Sequence, residues 1–370
     1  MAIGIFGGAF NPLHTEHMQI ARQALDEGLD KIVFVPSNLP PHKTCDVSFD
    51  ARADMLERAL ADEPRMEMCP IEGASEGTHY TYRTLPLLIR LYGDVEFIIG
   101  GDSMIDLHRW KYPEKIVGMC PIRVFSRADR NAELEQAVRD WTARGARIRV
   151  SQYRSDDISS TRIRYGLSLG VTDGVHPSVL PYIQEHGLYR EYVPMARLLR
   201  ETVSEQTYAH ACRTALYALY LNERCKLGED SERVFVAGLL HDCAKQWSAT
   251  PQAADVVPAD AVGTPVAHQF AGAYLAQTRW GIEDARILQA IRVHCSADTQ
   301  MTTLDRIVYC ADKLEPARAY DGVQTLRRTV QQDFDRGFCD VLMHAYDYLS
   351  SKGADAYPMT RRAVERYCGI

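Results

Sequence analysis

The sequence predicts an α/β chain in two parts, a doubly wound parallel sheet followed by an all-α helical bundle. In the first half, short apolar runs alternate with segments of helical spacing, which is typical of a parallel sheet covered by helices on both faces. After about residue 194 the pattern changes to long helical segments without a convincing strand. This change indicates a separate helical domain.

The individual elements follow from apolar periodicity and from turn residues. In the first half, four apolar runs predict strands, at Ile3–Phe6, Lys31–Pro36, Val95–Ile99 and Ile122–Phe125, and residues 15–27 and 50–61 have helical spacing. The second half has five helical segments, at Tyr208–Cys225, Ser231–Lys245, Val266–Arg279, Ile282–His294 and Leu304–Leu314. Because the pattern shifts at Tyr192-Val193-Pro194, we expect domains at residues 1–192 and 194–370.

Composition excludes several classes of function. A length of 370 residues fits about two domains of roughly 100–200 residues each. The net charge of −7 argues against nucleic-acid binding, which needs a basic surface. Apolar runs all fall short of the ~20 residues of a membrane span, and Met1–Phe6 leads directly into a strand, so we expect neither a membrane segment nor a signal peptide. Ten cysteines without a CxxC pair predict reduced thiols and a cytoplasmic protein.

The strongest local motif follows the first predicted strand and reads Gly7-Gly8-Ala9-Phe10-Asn11-Pro12-Leu13-His14-Thr15-Glu16-His17. Glycines let the backbone approach a phosphate closely, and the start of the next helix offers unpaired N–H groups. His14 and His17 are three residues apart and would share one face of the first helical turn. The motif therefore predicts a phosphate site with two imidazole donors.

A second motif, Ile158-Ser159-Ser160-Thr161-Arg162-Ile163-Arg164, begins a later helical stretch. Hydroxyl groups at a helix start cap backbone N–H groups and can hold phosphate, and the Arg164 guanidinium can bind phosphate through two N–H groups. The two motifs, in this order, resemble the GGxFNPxHxxH and ISSTxIR signatures of the nicotinate-mononucleotide adenylyltransferase family, one of the HxGH nucleotidyltransferases. Glu16 stands where that family usually has Gly. The resemblance extends to about residue 190.

This resemblance implies a Rossmann-like domain that transfers AMP from ATP to nicotinate mononucleotide, giving deamido-NAD and pyrophosphate, with Mg²⁺ on the phosphates. It implies catalytic roles for His14, His17, Lys43 and Arg164. Contacts with ATP or the second substrate are implied for Gly7, Gly8, Phe10, Asn11, Thr81, Tyr82, Thr84, Gly101, Asp102, Ser103, Trp110, Arg127, Ser160 and Thr161. Spacing alone does not separate nicotinate from nicotinamide as the base.

In the second half, ionisable residues lie within otherwise apolar helical stretches, where they are costly unless paired or bound. These residues are His210, His241, Asp242, His268, His294 and Asp312. Imidazole and carboxylate groups together suit hard or borderline divalent metals. We therefore expect all six to meet in a helical bundle as a di-metal site.

The order H…HD…H…H…D resembles the HD-domain phosphohydrolases, and His241-Asp242-Cys243-Ala244-Lys245 is similar to the symmetrical diadenosine tetraphosphate hydrolases. The resemblance implies hydrolysis of diadenosine tetraphosphate to ADP at a di-iron centre, with other divalent metals as alternatives. Asp242 would be catalytic, and Lys245 and Arg318 would bind the polyphosphate. In two places the sequence departs from the family: Thr207 replaces a usual Arg, and Cys295-Ser296-Ala297-Asp298 replaces a Thr/Gly-rich turn. The ligands are retained, but substrate preference stays open.

Other functions are compatible with parts of this pattern. The helical half could be a nucleotide-binding regulatory module, or a nucleotidase or phosphodiesterase with another substrate. The first half could act on pantetheine phosphate or a cytidyl substrate. The main hypothesis is one chain with two enzyme activities on small nucleotides, without nucleic acid or membrane as a partner.

Overall fold

The computed structural model describes residues 1–38, 45–73, 79–127 and 131–369. It divides into two compact units, residues 1–167 with 171–189, and residues 168–170 with 190–370. Within the described residues, each of the ten cysteines is a free thiol. Among the same residues, no helix is both long enough and apolar enough to cross a membrane.

The first unit contains a parallel sheet with helices on both faces. Its strands are β1 (Ile3–Gly8), β2 (Lys31–Pro36), β3 (Met66–Met68), β4 (Val95–Gly100), β5 (Ile122–Arg127) and β6 (Ile148–Ser155). Its helices are α1 (Thr15–Asp26), α2 (Phe49–Leu60), α3 (Thr81–Tyr92), α4 (Gly101–Ile105), α5 (Pro113–Met119), α6 (Asn131–Ala143), α7 (Ser160–Ser168) and α8 (Leu180–Glu185), and Asp106–Arg109 is a 3₁₀ turn.

The strand order places a ligand crevice at the centre of this sheet. Within the described residues the order is β3-β2-β1-β4-β5-β6, and β1 pairs in parallel with both β2 and β4. The order reverses between β1 and β4, and open α/β sheets bind ligands at the carboxyl ends of strands at such a reversal. The residues that follow β1 and β4 are therefore the first place to look for a site.

Successive side chains of each strand point to opposite faces of the sheet, and each face packs against its own set of helices. Phe6, Phe34 and Ile98 pack with α1 and α2 residues on one face, whereas Ile5 and Val33 pack with α3 and α5 residues on the other. This confirms the predicted doubly wound sheet. The prediction missed β3 and β6, so the runs predicted as third and fourth strands are the fourth and fifth.

The second unit is helical throughout its described residues, as predicted. Its helices are α9 (Val193–Thr202), α10 (Glu205–Arg224), α11 (Ser231–Leu240), α12 (Ala267–Trp280), α13 (Ala285–Val293), α14 (Thr303–Leu314), α15 (Val323–Gln332), α16 (Phe334–Ser351) and α17 (Pro358–Cys368), with 3₁₀ turns at Trp247–Ala249 and Pro251–Asp255. At its centre, α10 packs on α11 and α14, and α13 contacts α11, α12 and α14. The helix predicted at Ser231–Lys245 ends earlier, at Leu240.

Candidate functional sites

The turn between β1 and α1 is tightly packed by its own side chains. A Cβ atom added to Gly8, the last residue of β1, would lie only 3.0 Å from the Phe10 ring, so a larger residue there would push the ring away. Phe10 is itself fully buried and has a φ of 46°, which keeps the ring under the loop. The packed Phe10 ring thus lies beneath the turn at the carboxyl end of β1, where the chain leads into α1.

His14 and His17 form a reciprocal cap at the start of α1. His14 is the residue before the helix, and its Nδ1 accepts the backbone N–H of His17 at 3.4 Å. Nδ1 of His17 accepts the backbone N–H of His14 at 3.3 Å, and the rings stack with centroids 3.6 Å apart. Because Nδ1 accepts in both rings, the ring proton of each lies on Nε2. Both imidazoles can thus donate from Nε2 at a helix N-terminus, as a phosphate site requires.

The start of α7 meets the same loop. Ser160 Oγ donates to the carbonyl of Pro12 at 3.1 Å, and an Arg164 N–H donates to the carbonyl of Asn11 at 2.8 Å. The Tyr189 hydroxyl donates to Asn11 Oδ1 at 2.7 Å, and burial raises the pKa of Tyr189. The two predicted motifs, far apart in sequence, therefore lie together in the structure.

Arg52 joins this loop to the end of β2, a role that the sequence did not indicate. Its side chain is fully buried. The guanidinium donates to the carbonyls of Ala9 at 2.6 Å, Ser37 at 2.7 Å and Asn38 at 3.1 Å. Nε of Arg52 also donates to the carbonyl of Val47 at 3.3 Å. A single cation thus fixes two loops at the carboxyl edge of the sheet.

A cavity of about 530 Å³ opens beside the loop, between β1, β2, β4 and α3. Of the residues predicted to contact substrate, six line it: Gly7, Gly8, Thr81, Thr84, Ser103 and Trp110. Predicted residues that do not line it are Phe10, Asn11, Tyr82, Gly101, Asp102, Ser160 and Thr161. Lys43 and the side chain of Arg127 lie outside the described residues.

The cavity has polar residues that the prediction did not include. Glu72 accepts the Thr84 hydroxyl at 2.8 Å and the backbone N–H of Asn38 at 3.3 Å. Arg109 and Lys111 also line the cavity and add positive charge to it. The combination of apolar walls with a few anchored polar groups is typical of a small-ligand pocket.

The second unit brings all six predicted histidines and aspartates into one cluster. His210 comes from α10, His241 and Asp242 follow α11, His268 lies in α12, His294 follows α13, and Asp312 lies in α14. Three overlapping groups place their ligand atoms within 4.8 Å of one another: His210 with His241 and Asp242, His241 with His294 and Asp312, and Asp242 with His268 and His294.

In this cluster the imidazole Nε2 atoms and the carboxylate oxygens lie close to one another. His210 Nε2 lies 2.9 Å from Asp312 Oδ1 and 3.3 Å from His241 Nε2. His268 Nε2 lies 3.1 Å from Asp242 Oδ1 and 3.1 Å from His294 Nε2. Each of these imidazoles therefore points Nε2 at the centre of the cluster.

The turn after α11 explains how adjacent residues face the same centre. The N–H of Cys243 bonds the carbonyl of Leu240 at 3.0 Å, and the N–H of Lys245 bonds that of Asp242 at 3.0 Å. These are three-residue turns that replace the helical four-residue pattern. His241 and Asp242 can consequently both point inward, which neighbouring residues on one helix cannot do.

Charge in the cluster suits a divalent cation. Burial lowers the pKa of His241 to about 3 and also lowers the pKa of His294. Burial opposes ionisation of Asp242 and Asp312, but the surrounding histidines, with Lys313 beside Asp312, hold both pKa values well below the usual range. These states of His241, His294 and the two aspartates are the ones that bind metal. For His210, burial opposes protonation but hydrogen bonds to Asp312 and Glu315 raise the pKa, so a bound metal would have to displace a proton there.

Lys245 and Arg318, predicted to bind polyphosphate, lie at the edge of the cluster. Lys245 Nζ is 3.2 Å from both Asp242 oxygens, and an Arg318 N–H donates to Asp312 Oδ1 at 2.9 Å. Their side chains are 47% and 41% exposed, so both can also meet an anion from solvent.

Comparison with known proteins gives matches to both halves. Residues 5–166 match the cytidylyltransferase-like family, and residues 207–317 match the HD domain. A probable nicotinate-nucleotide adenylyltransferase of Neisseria meningitidis serogroup C is 34% identical over 198 residues, covering 51% of this chain and 98% of the relative. A Mycoplasma pneumoniae protein named probable nicotinate-nucleotide adenylyltransferase/Ap4A hydrolase is 29% identical over 328 residues, covering 86% of this chain and 89% of the relative.

Among solved structures, a Clostridium acetobutylicum protein described as a predicted HD superfamily hydrolase involved in NAD metabolism is 26% identical. It covers 48% of this chain and 97% of its own, with a TM-score of 0.45. The sequence matches agree with both motif sets in position and order. The chain therefore belongs to the nicotinate-nucleotide adenylyltransferase family and carries an HD domain after the adenylyltransferase-like part.

Proposed function

We propose that this chain is a bifunctional enzyme. Its first part transfers AMP from ATP to nicotinate mononucleotide, and its second part hydrolyses diadenosine tetraphosphate symmetrically to ADP. The observation that carries the proposal is that each unit gathers a set of chemistry-bearing residues, the two histidines with Arg164 near the phosphate loop in one unit and the histidine–aspartate cluster in the other. Relatives named for the first activity, and one named for both, support this assignment. We assign the activities to residues 1–192 and 194–370.

Adenylyl transfer needs no enzyme nucleophile. A phosphate oxygen of nicotinate mononucleotide attacks the α-phosphorus of ATP in line, and pyrophosphate leaves, so catalysis consists of positioning and charge stabilisation. His14 and His17 would donate from Nε2 to phosphate oxygens, and Arg164 and Lys43 would neutralise the polyphosphate. Mg²⁺, bound with ATP, would supply further neutralisation of phosphate charge.

The lining of the cavity fits nicotinate mononucleotide as the second substrate. Thr81, Thr84 and Trp110 line its walls, Gly7 and Gly8 form the side nearest to the phosphate loop, and basic residues contribute positive charge. A flat aromatic base with an anionic ribose phosphate fits such walls. We therefore assign this cavity to the mononucleotide, and the side of the loop next to α7 to ATP.

The donor set of the HD cluster fits two divalent ions. His210, His241 and Asp312 would hold one, His268 and His294 would hold the other, and Asp242 lies within reach of both groups. We propose iron at both positions. When bound, the ions would lower the pKa of water and neutralise charge on the attacked phosphate. Lys245 and Arg318, both half-exposed at the edge, would bind the flanking phosphates of a dinucleoside polyphosphate.

A single substitution in each half tests the activity that we assign to that half. His17→Ala should abolish most pyrophosphate release from ATP and nicotinate mononucleotide while the circular dichroism spectrum stays that of wild type. The exposed His108 serves as the control position, and His108→Ala should keep wild-type turnover. Wild-type-like kcat in His17→Ala would reject the assignment.

For the second activity, Asp242→Ala should empty at least one metal position and stop diadenosine tetraphosphate hydrolysis. Adenylyl transfer should continue in the same preparation. The exposed Asp255 gives the control, Asp255→Ala. If Asp242→Ala retains the wild-type metal content, the ligand assignment is wrong. If the wild type binds metal but does not hydrolyse diadenosine tetraphosphate, the second unit either acts on another phosphoester or is a regulatory module.

A further inference from the structure

The four cluster histidines are held in two different ways. His241, His268 and His294 each pair Nδ1 with a backbone carbonyl three residues earlier, at 2.7 Å in all three cases. His210 instead pairs Nδ1 with a carboxylate, Glu315 Oε1, at 3.2 Å. In each case Nδ1 donates outward to its acceptor, and Nε2 is the ring atom that faces the cluster.

The position of each histidine in its helix explains this difference. His241 and His294 directly follow the last residue of a helix, and His268 is the second residue of α12. The last carbonyls of a helix lack intrahelical partners and can accept from His241 and His294, and the carbonyl that accepts from His268 belongs to Pro265, which precedes α12. His210 lies inside the 20-residue helix α10, where nearby carbonyls bond within the helix. Its imidazole needs an acceptor from another element.

Glu315 is fixed in place as that acceptor. It follows α14 and is 2% exposed. Arg213 donates to it through two nitrogens, Nε to Oε2 at 2.8 Å and a terminal nitrogen to Oε1 at 3.3 Å. The backbone N–H of Ala317 adds a third donor, at 2.7 Å from Oε2. Two Arg213 nitrogens and one backbone N–H thus converge on the two oxygens of Glu315, which is the donor arrangement that suits a carboxylate.

We propose that Glu315, clamped by Arg213, is a positioning residue that orients His210 and makes one of the two metal positions depend on it. A carboxylate behind a ligating imidazole fixes its tautomer and raises its basicity, and loss of such a partner typically weakens metal binding by 10–100-fold. The other three histidines take the same orientation from backbone carbonyls, which no side-chain substitution removes. This inference rests on the metal centre proposed above.

If only one metal position depends on Glu315, changing Glu315 should weaken metal binding at that position and leave the affinity of the other unchanged. We would titrate Mn²⁺ into the metal-free full-length protein and follow bound ions per chain and the electron paramagnetic resonance spectrum. The wild type should bind two ions with the signal of a coupled pair. Glu315→Gln should bind one ion with wild-type affinity and the second about 10–100-fold more weakly, giving a single-ion signal. Glu283→Gln, at an exposed position of the same unit, should match the wild type.

A second variant tests the clamp without removing the carboxylate. Arg213 is 39% exposed, so Arg213→Met should fold and should weaken the same single position by a smaller factor. Two ions bound to Glu315→Gln with wild-type affinity would overturn the proposal, as would equal weakening of both positions in either variant. Fewer than two ions in the wild type would instead reject the proposed metal centre itself.

Discussion

Gly238 is the point where a single methyl group should disturb the metal cluster from outside it. This residue lies in α11 against α10, and a Cβ atom added to it would lie 2.9 Å from Cα and 3.3 Å from the backbone nitrogen of Ala215. Carbon atoms normally pack at about 3.5–4.0 Å, so the two helices would have to separate by roughly 0.6–1 Å. The obstructing atoms are backbone and cannot rotate away.

The two helices carry ligands that must stay in register. His210 belongs to α10, and His241 follows α11 with its Nε2 3.3 Å from that of His210. Metal–ligand distances tolerate deviations of about 0.2 Å, less than the expected separation. Gly238→Ala should therefore lower the number of bound metal ions per chain. Overpacking typically costs about 1–3 kcal/mol, and the gain of about 1 kcal/mol in helix propensity offsets part of it.

Metal analysis and thermal unfolding of the full-length protein measure both effects. Gly118→Ala, in α5, is the matched control, because a Cβ atom there would meet nothing within 4 Å. It should leave metal content unchanged and either preserve or slightly raise stability. Wild-type metal content together with an unchanged unfolding midpoint in Gly238→Ala would refute the idea that this close helix contact sets the ligand geometry.

Three further changes test other parts of the structure. Arg52→Met removes the buried cation that joins the two loops and leaves carbonyl groups without their donor. It should destabilise the first unit by at least about 1–3 kcal/mol and lower adenylyl-transfer kcat/KM, measured by calorimetry and pyrophosphate release. Arg164→Ala removes a charge-assisted contact worth about 1.5–3 kcal/mol, so kcat/KM should fall about 10–150-fold without loss of fold. The hydrogen bond from Arg233 lowers the pKa of Asp284 below its unfolded value. The stability it adds is therefore present at neutral pH and lost as pH falls below about 4, and Asp284→Asn should reduce this acid sensitivity in thermal unfolding.

The sequence predicted those elements whose signal is local. Lys31–Pro36 is a continuous apolar run, and the structure has that strand with the same bounds. By contrast, Met66–Met68 is too short to show periodicity, and Ile148–Ser155 contains mostly polar residues because it is an edge strand. Local patterns therefore identify buried central strands better than short or edge strands.

The residues of the candidate sites also differ in how far the sequence alone identifies them. The glycine–histidine loop and the histidines and aspartates of the second unit have recognisable order along the chain, and the structure brings each set together. The roles of Arg52, Glu72 and Glu315 depend on partners far away in sequence, such as Ser37 or His210. A charged residue in an apolar stretch signals that a partner exists, but its identity follows only from the fold.

The most direct test of the bifunctional proposal is the product pattern from diadenosine tetraphosphate. Iron-loaded full-length protein would be incubated with this nucleotide, and the products would be separated by chromatography. ADP as the sole nucleotide product, absent in Asp242→Ala, is the predicted result and would establish symmetrical hydrolysis beside adenylyl transfer. ATP with AMP, or no turnover by protein shown to hold its metal, would contradict the proposal for the second unit.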